Sequence, residues 1–348
     1  MSDLYVDEYI CCPVQSKLEC VLDTEIQFTE SNKRPGQKYK VVASNDLNQN
    51  AKLSDVFATQ ASEKVDGTCC YVGLREEKIE LFARLDRKPH KKASKRFKSY
   101  TNQLLKCDDM EEKHSFAWKY PDDFKPVSEH WIPARNLRTD EYGIPCPDKN
   151  GHTPGWVPIS VDPNQYCWHN ATIDDVAQLA LVLQPAKSNK SNLVITLCSL
   201  PKMLDYTYEL IGTCINGNPY MLGSKKAPFH ILIKHGSLPI HSLPPNLTVD
   251  SLKHWFDDKE ITENKLEGLV WHCSNGNLFK LHRHHLGLPW PFGNDSMEPF
   301  LCKRSVKVSL ETEKELIENS KFKTWLQFDG KQFKSLVDLA GVINYKLN

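Results

Sequence analysis

Residues 63–68, with the sequence EKVDGT, are the most informative stretch of this chain because they contain the pattern Lys-x-Asp-Gly. A lysine that attacks the α-phosphorus of a nucleoside triphosphate must lie close to it, lose its proton, and have neighbours that bear the developing charge. Lys64 is the candidate nucleophile, Asp66 can orient the amine or a ribose hydroxyl, and Gly67 lets backbone approach a ligand because it has no Cβ. The pattern also arises by chance as a polar turn, so the prediction depends on the rest of the chain.

The composition of the chain is ordinary for a soluble globular protein. Of its 348 residues, 40% are hydrophobic and 25% are charged, and 44 basic residues balance 44 acidic ones. This balance argues against a protein that coats nucleic acid by bulk electrostatics, so a nucleic-acid partner would have to be bound locally. The length allows one large domain or two modest ones.

Two further properties bear on the cell compartment. No segment has the apolar length of a transmembrane helix, and residues 1–15 lack the basic region and apolar core of a secretory signal. The twelve cysteines, which include the adjacent pairs Cys11-Cys12 and Cys69-Cys70, are more typical of reduced thiols than of a disulfide framework. We expect a cytoplasmic or nuclear protein that is not secreted, has no membrane partner and contains no structural disulfides.

The residues after Lys64 predict a sheet and then a basic helix. Apolar-rich runs at 68–74 and 78–84 predict an antiparallel hairpin, which places Lys64 at the mouth of a sheet. Residues 87–98 (RKPHKKASKRFK) carry seven Lys or Arg in twelve positions and precede an acidic cluster at 108–112. Two interpretations stay open for this basic stretch: a solvated helix that pairs with the acidic cluster, or a local contact with an RNA backbone.

The middle of the chain contains an irregular region. Residues 121–168 are rich in Pro, Gly and Trp and show little periodicity, which predicts an irregular insertion. Its Trp131, Trp156 and Trp168 could stack on bases, although tryptophans in such a segment more often pack it against the main body of the protein.

Beyond the insertion, the pattern predicts strands followed by helices. We expect strands at 179–183, 193–197 and 206–211, and a helix at 250–257 capped by Thr248 or Asp250. The last forty residues have apolar spacing that is mainly helical. This pattern favours one domain over residues 1–290 and a small, mainly helical appendage over residues 291–348.

A second charged group lies in a predicted hairpin over residues 265–283. Asn275-Gly276 separates two apolar runs and predicts a two-residue type I′ turn, which would set Trp271 opposite Lys280. In that register, Glu267 and Lys280 lie on one face of the sheet. Together they could bind a divalent metal or ribose hydroxyls through the carboxylate and an α-phosphate through the ammonium. The alternative is a cross-strand ion pair.

The early Lys-x-Asp-Gly and the late Glu-Gly-x-Val, followed by a lysine, resemble the covalent nucleotidyltransferase superfamily of polynucleotide ligases and mRNA capping enzymes. The resemblance implies that Lys64 becomes nucleotidylated, that Glu267 is the carboxylate of the Glu-Gly strand and a metal ligand, and that Lys280 begins the last motif. It also implies that Arg84 touches ribose or a 5′-phosphate and that Glu209 holds the ribose.

Two features depart from the superfamily pattern. His282 stands where the usual Lys-x-Lys has its second lysine, and Arg283 or Lys225-Lys226 could supply the missing contact. The interval of 125 residues from Arg84 to Glu209 is longer than in compact phage-type RNA ligases, and the Pro- and Trp-rich insertion accounts for much of it.

Longer strings resemble one branch of the superfamily more closely. EKVDGTCCYV, ARLDRKPHKKASKRFK, NGHTPGWVP, EGLVWHCS and HRHHLGL are similar to ATP-dependent RNA 5′-to-3′ ligases of the vertebrate type across most of residues 55–290. By this resemblance, Glu63 lies near the adenine, and Asp66 and Gly67 belong to the nucleotide site. The implied cofactors are ATP and Mg²⁺ (or Mn²⁺), and the implied partner is RNA with 5′-phosphate and 3′-hydroxyl ends, bound by a monomer.

We therefore predict an α+β fold: a nucleotidyltransferase (ATP-grasp-like ligase) domain of antiparallel sheets with flanking helices, followed by the C-terminal appendage. The implied function is ATP-dependent RNA ligation. Lys64, with its pKa lowered by neighbouring cations and Mg²⁺, would take AMP from ATP and pass it to an RNA 5′-phosphate, and a 3′-hydroxyl would then displace the AMP.

Three other functions stay open from sequence. A capping-type guanylyltransferase would use GTP, but it normally requires a C-terminal OB-fold, and the 68 residues after Lys280 look helical. An RNA-end-binding protein without catalysis, or a ligase that acts on DNA, are further alternatives. A zinc site at His272-Cys273 and the histidines at 282–285 is disfavoured, because none of the cysteines forms a Cys-x-x-Cys pair.

Overall fold

The computed structural model describes residues 13–29, 38–104, 116–291 and 297–346. The acidic cluster at 108–112 and the cysteines Cys11, Cys12 and Cys107 lie outside these residues. Among the described residues, the nine cysteines are free thiols, and no helix has the length and apolar character needed to cross a bilayer.

Short strands dominate the described parts of the chain. The strands are β1 Glu19–Cys20, β2 Leu22–Gln27, β3 Lys40–Leu47, β4 Ala61–Lys64, β5 Thr68–Arg75, β6 Lys78–Arg84, β7 Ile132–Pro133, β8 Gly155–Pro158, β9 Ile173–Asp174, β10 Leu179–Pro185, β11 Leu193–Ser199, β12 Thr207–Gly212, β13 His230–Lys234, β14 Gly268–His272, β15 Leu278–His282, β16 Val306–Val308 and β17 Gln332–Phe333.

Helices are fewer and mostly short. The α-helices are α1 Gln49–Lys52, α2 Lys91–Leu104, α3 Cys167–Asn170, α4 Leu200–Met203, α5 Val249–Asp257, α6 Phe300–Lys303, α7 Lys314–Glu318 and α8 Leu336–Lys346, and single 3₁₀ turns lie at Ile159–Val161, Thr262–Asn264, Arg283–Leu286 and Lys323–Phe328. The fold is thus mixed α/β, rich in sheet with several helices.

The largest sheet contains eleven strands. Its order is β17-β16-β11-β10-β13-β12-β5-β6-β8-β7, with β9 beside β10. Most neighbours are antiparallel, but β10 runs parallel to β13, and β11 runs parallel to β16. The expectation of antiparallel sheets is therefore corrected to a mixed sheet, because β13 and β16 reach their places through long connections rather than through hairpins.

Both faces of this sheet are covered by apolar side chains. Along β10, Leu181 and Leu183 point into one buried cluster, whereas Ala180 and Val182 point into another. This continuous apolar run is typical of a strand that is buried on both faces. At 25 cal/mol per Å² of buried apolar surface, each such leucine contributes roughly 2 kcal/mol.

A smaller sheet of order β1-β15-β14-β4 carries Lys64 at the end of β4. One of its faces, with Leu269, Trp271 and Leu281, packs into a core that includes Trp255 of α5. Because side chains alternate along a strand, the other face stays available for a cavity. A two-stranded ribbon of β2 and β3 completes the sheets.

The register of the β14–β15 hairpin differs from the expected one by one residue. Val270, not Trp271, lies opposite Lys280. The turn has three residues rather than two: the N–H of Cys273 donates to the carbonyl of Asn277, and the third loop residue, Gly276, has φ +83°. A three-residue loop with glycine in the left-handed region is the next commonest hairpin connection, and the extra residue shifts every pair.

Several expected elements are present. The hairpin after Lys64 is β5 and β6, the three strands after the insertion are β10, β11 and β12, and the helix at 250–257 is α5, capped by the side chain of Thr248. Residues 91–98 of the basic stretch lie in α2 (Lys91–Leu104), in which Ala93 is buried and the ring of Phe97 contacts those of Phe116 and Trp118.

The region at 121–168 is less irregular than expected, because its strand β8 pairs with β6 and extends the large sheet. Its tryptophans pack against the main body. Trp156 is buried against Tyr71, Trp131 donates to the carbonyl of Leu85, and Trp168 stacks on His230. These contacts favour packing over base stacking for the three tryptophans.

The C-terminal region contains helices, as expected, but also two strands. β16 pairs with β11 and β17 pairs with β16, so this region continues the large sheet. Its Leu336 and Leu339 are buried in the same apolar cluster as Leu183. The sequence did not indicate β16 because the strand has only three residues, too few to display an alternating pattern.

Candidate active site

A cavity of about 370 Å³ lies where the small sheet meets the large one. Strands β4, β14 and β15 form one wall, and β5, β6, β12 and β13 form the other. Six of the eight site residues expected from sequence line it: Glu63, Lys64, Gly67, Arg84, Glu209 and Lys280. Its volume is in the range of small-molecule sites.

The Lys64 side chain is paired with Glu267. Nζ of Lys64 donates to Oε2 of Glu267 at 2.8 Å, and the other carboxylate oxygen lies 2.9 Å from Nδ1 of His282. Glu267 immediately precedes β14, and the neighbouring residue Gly268 lies opposite Lys64. Glu267 therefore contacts Lys64 without depending on the expected hairpin register.

The charges around Lys64 keep its amine protonated. Burial would lower the pKa of Lys64, but the negative charges of Glu267 and Glu209 outweigh it and raise that pKa above the usual lysine value. The expected lowering by neighbouring cations is therefore wrong for the protein groups around Lys64, where carboxylates dominate. The lowering expected from Mg²⁺ stays a prediction.

Lys280 reaches the same cavity through the observed register. It lies opposite Val270 on β14, which in turn lies opposite Ser62 on β4, and all three side chains line the cavity. Arg283 instead lies beneath the sheet, where its guanidinium donates to the carbonyls of Phe256 and Asn264. It does not line the cavity.

Glu209 on β12 contacts residues of two neighbouring segments of the cavity wall. Its Oε1 accepts the backbone N–H of Gly67 at 3.0 Å, and its Oε2 lies 2.8 Å from Nε2 of His235. Nδ1 of His235 is in turn 2.9 Å from Oγ1 of Thr207. This chain of contacts fixes the carboxylate at the edge of the cavity.

Gly67 is required by the protein rather than by a ligand. A Cβ at this position would overlap the carbonyl oxygen of Leu210 and lie 2.9 Å from Cγ of Glu209. Only glycine lets the chain after Lys64 pass this closely over β12. The sequence pattern identified the position, but the close neighbour is strand β12.

Arg84 is held on three sides. Its Nε donates to Asp86 at 2.7 Å, its Nη1 donates to the carbonyl of Gln15 at 2.7 Å, and its guanidinium lies 4.9 Å from the centre of the Trp156 ring. Among the described residues, no group accepts a hydrogen bond from its Nη2. That nitrogen is the part of Arg84 available to an anion in the cavity.

Asp66 does not line the cavity. Its carboxylate accepts hydrogen bonds from Nε1 of Trp290 at 2.8 Å and from the Asn216 amide at 3.0 Å, and its backbone N–H donates to the hydroxyl of Tyr220. In this conformation Asp66 anchors the loop after Lys64 rather than contacting the amine. The sequence could not indicate Trp290, which is 224 residues away.

Glu63 lies between the two cavity-facing residues Ser62 and Lys64 on β4, so strand alternation turns its carboxyl to the opposite side. The side chain is buried, and its oxygens have no hydrogen-bond partner among the described residues. Burial raises the pKa of Glu63 to about 7, and the positive charge of Arg304 opposes this shift. Contact with a base would fall to the backbone of Glu63.

Further residues line the cavity without any sequence signal. Val14 and Leu18, from the N-terminal part of the chain, line the cavity, and the N–H of Val14 donates to Oγ1 of Thr207. Nε2 of His272 on β14 forms a hydrogen bond with Oγ of Ser62 at 2.9 Å. Burial lowers the pKa of His272 to about 4. No local motif surrounds these residues, because only the fold brings them together.

Two groups of side chains could hold a metal ion. Glu267, the expected ligand, presents a carboxylate beside Lys64. In the described part of the chain, one set of three potential ligands also converges: Cys69, Glu209 and His235. The zinc site that the sequence disfavours, at His272-Cys273 and the histidines at 282–285, shares no residue with this set.

One family of known proteins matches this chain over most of its length. A family model described as RNA ligase 1 matches residues 10–341. RNA ligase 1 of Pongo abelii is 42% identical over 329 residues, which cover 94% of this chain and 97% of that protein. RNA ligase 1 of Mus musculus is 42% identical over 327 residues and that of Danio rerio 41% over 334 residues, with the same coverage.

Proposed function

The chain belongs to the RNA ligase 1 family, and on that premise we propose that it joins RNA 5′-phosphate and 3′-hydroxyl ends with ATP through a lysine–AMP intermediate. The observation that carries the proposal is the 2.8 Å contact between Lys64 and Glu267 at the wall of the cavity. Arg84, Glu209 and Lys280 on the same cavity add the charges that phosphoryl transfer needs.

In the first step, Nζ of Lys64 attacks the α-phosphorus of ATP. A phosphorus–nitrogen bond forms, the bond to pyrophosphate breaks, and the amine gives up its proton. Oε2 of Glu267 already accepts a hydrogen bond from this amine and is placed to receive the proton. Lys280, whose side chain shares the cavity face, is placed to neutralise the α-phosphate oxygens.

A divalent cation fits the donor set of this wall. Mg²⁺ takes oxygen ligands, and Glu267 is a buried carboxylate. Among the described residues, Lys64 is the one lysine or arginine that forms an ion pair with it, and His282 is its other partner. When bound, the ion would supply positive charge to the phosphates and weaken the hold of Glu267 on the lysine proton. Mn²⁺ has the same ligand preference.

The two later steps use the same side chains. An oxygen of the RNA 5′-phosphate attacks the phosphorus of lysine–AMP, the phosphorus–nitrogen bond breaks, and the lysine regains a proton. The RNA 3′-hydroxyl then loses its proton to solvent and attacks the activated 5′-phosphate, so that a phosphodiester bond forms as the bond to AMP breaks. Nη2 of Arg84 offers a hydrogen bond to that phosphate, and Glu209 offers acceptors to ribose hydroxyls.

Helix α2 provides a surface for the RNA strand. Lys91, Lys95 and Lys98 lie at positions i, i+4 and i+7 and are exposed, opposite the face where Phe97 packs. Among the described residues, no carboxylate pairs with these three lysines, and the helix begins seven residues after Arg84. Such a row of lysines suits phosphate oxygens spaced along a backbone.

Labelling with α-labelled ATP or GTP tests the proposal. The protein, incubated with Mg²⁺ and then denatured, should retain an acid-labile label from ATP, and the Lys64→Ala variant should retain none. A Lys334→Ala variant, which removes an exposed lysine far along the chain, is the matched control and should be labelled like the wild type.

The other outcomes assign other functions. If the protein is labelled from GTP, guanylyl transfer replaces ligation as the assigned function. If neither nucleotide labels it, the result favours an RNA-end-binding role. A second assay compares the rates at which the protein seals a nick in RNA and a matched nick in DNA. Equal rates on RNA and DNA would overturn the assignment of RNA as the preferred substrate.

A further inference from the structure

Three potential metal ligands are fixed by neighbouring strands of the large sheet. Cys69 on β5 lies directly opposite Glu209 on β12. His235 immediately follows β13, and its backbone N–H donates to the carbonyl of Thr207, two residues before Glu209. All three side chains line the cavity, so the sheet itself holds them on one face.

The ligand atoms are already close. Sγ of Cys69, a carboxylate oxygen of Glu209 and a ring nitrogen of His235 all lie within 4.8 Å of one another. A tetrahedral Zn²⁺ with bonds of 2.0–2.3 Å keeps its ligands roughly 3.3–3.8 Å apart. Because the ligand atoms already lie within 4.8 Å of one another, small rotations about side-chain bonds would bring them to that spacing.

Outer contacts orient two of the three ligands. Oε1 of Glu209 is occupied by the N–H of Gly67, which leaves Oε2 toward His235. Nδ1 of His235 contacts Oγ1 of Thr207, which leaves Nε2 toward the carboxylate. Metal-bound histidines commonly use their second nitrogen in this way, so the arrangement suits a ligand rather than a free imidazole.

The geometry points to a site for a borderline-soft divalent cation of the zinc class, held by Cys69, Glu209 and His235. The Cys69 thiol loses its proton to solvent and binds as thiolate, neutral His235 binds through Nε2 and carries its proton on Nδ1 toward Thr207, and Glu209 binds through Oε2. Three protein ligands leave a fourth position for water or a phosphate oxygen.

This site differs in chemistry from the carboxylate beside Lys64. A thiolate and an imidazole are poor ligands for Mg²⁺ but good ones for Zn²⁺, and they also bind Co²⁺. The consequence for activity rests on the proposed function: a bound Zn²⁺ occupies Glu209 and so competes with the ribose of ATP. The cation would therefore inhibit lysine–AMP formation rather than support it.

Titration with Co²⁺ tests the site without ATP or RNA. Metal-free protein should bind one equivalent and develop a near-ultraviolet thiolate-to-Co²⁺ absorption band with visible bands typical of tetrahedral Co²⁺, and Zn²⁺ should bleach both. Cys69→Ser should abolish the thiolate band, and His235→Gln should weaken Co²⁺ binding at least tenfold. Circular dichroism checks that both variants are folded.

Matched thiol variants decide between this site and others. Cys167→Ser, at an exposed cysteine elsewhere, and the double variant C11S/C12S should bind Co²⁺ like the wild type. A band that persists in Cys69→Ser, or that disappears in C11S/C12S, overturns the assignment, as does the absence of any thiolate band. Because the readout is metal binding, these results do not depend on whether the protein ligates RNA.

Discussion

Nζ of Lys64 and Oε2 of Glu267 are 2.8 Å apart, in an ion pair at the wall of the cavity. Glu267 is buried and its other oxygen contacts His282, so the carboxylate cannot turn away from the lysine without losing both contacts. The pair holds the amine charged, and a charged amine is not a nucleophile. In the proposed reaction, ligand binding must therefore disturb this pair before the amine can attack.

Replacing Glu267 by Gln should lower the pKa of Lys64. The charge of Glu267 is the largest influence that raises this pKa, and burial, which lowers it, remains in the variant. The test is competitive acylation of lysines from pH 7 to 11, read by mass spectrometry, which requires no activity. Lysine–AMP formation should also fall by about 10²-fold, since the carboxylate acts in the reaction.

The control for this experiment is Glu260→Gln, at an exposed glutamate outside the cavity. It should leave the acylation profile of Lys64 unchanged. If Glu267→Gln also leaves that profile unchanged, the ion pair does not set the protonation state of the lysine.

Gly67→Ala should destabilise the protein by about 2–4 kcal/mol and abolish lysine labelling. The added Cβ would overlap the Leu210 carbonyl oxygen and push Cγ of Glu209, so the strand after Lys64 must shift. Gly341→Ala in α8 is the opposite case, because nothing lies within 4 Å of its Cβ. It should raise stability by up to about 1 kcal/mol. Urea unfolding of both variants measures the difference, and equal stabilities would contradict this account.

Local chemistry made much of the site predictable from sequence. Lys64, Gly67 and the later Glu267 and Lys280 lie in short strings that resemble motifs of RNA ligases, and the family comparison confirms that the chain belongs to such a family. The contact between Glu267 and Lys64 did not need a correct hairpin register, since Glu267 lies just outside β14.

Contacts between distant segments could not be predicted in the same way. The partners of Asp66 are Trp290 and Asn216, and the N-terminal residue Gln15 holds Arg84, yet none of these carries a local pattern. The carboxylates that raise the pKa of Lys64, Glu209 and Glu267, are also distant from it in sequence and near only in space, so the direction of this shift could not be predicted from local motifs.

Glu63 should make stability depend on pH. Its pKa rises from 4.5 to about 7 on folding because burial disfavours the charged form. The native state therefore holds a proton that the unfolded chain releases. The contribution of Glu63 to the free energy of unfolding is fully present below pH 4.5 and is lost as pH rises through 7. The full effect is roughly 3 kcal/mol. Unfolding free energies at pH 5.5 and pH 8 measure most of it.

Glu63→Gln should remove this dependence, because the amide stays neutral at both pH values. The variant should gain stability at pH 8 relative to the wild type, whereas Glu311→Gln, at an exposed position, should not. A wild-type protein whose stability rises between pH 5.5 and pH 8, with the same rise in Glu63→Gln, would show that Glu63 is ionised in the native state.

Reversing the charges on α2 should weaken RNA binding without disturbing the first chemical step. In K91E/K95E/K98E, three exposed cations are replaced on the face opposite Phe97, so the packing of the helix is unchanged. If the three lysines contact phosphates, the dissociation constant for nicked RNA should rise at least tenfold, and the slope of log K against log salt should fall by about 2 to 3. Lysine–AMP formation, which needs no RNA, should keep its rate.

The control variant K307E/K331E/K334E makes the same change in net charge near β16 and β17, at the opposite end of the large sheet from β6 and β8. A purely long-range effect of net charge would weaken RNA binding equally in both triple variants. A local contact would weaken it only in the α2 variant. If neither variant changes the salt slope, the lysines of α2 form a solvated face, the alternative that the sequence left open.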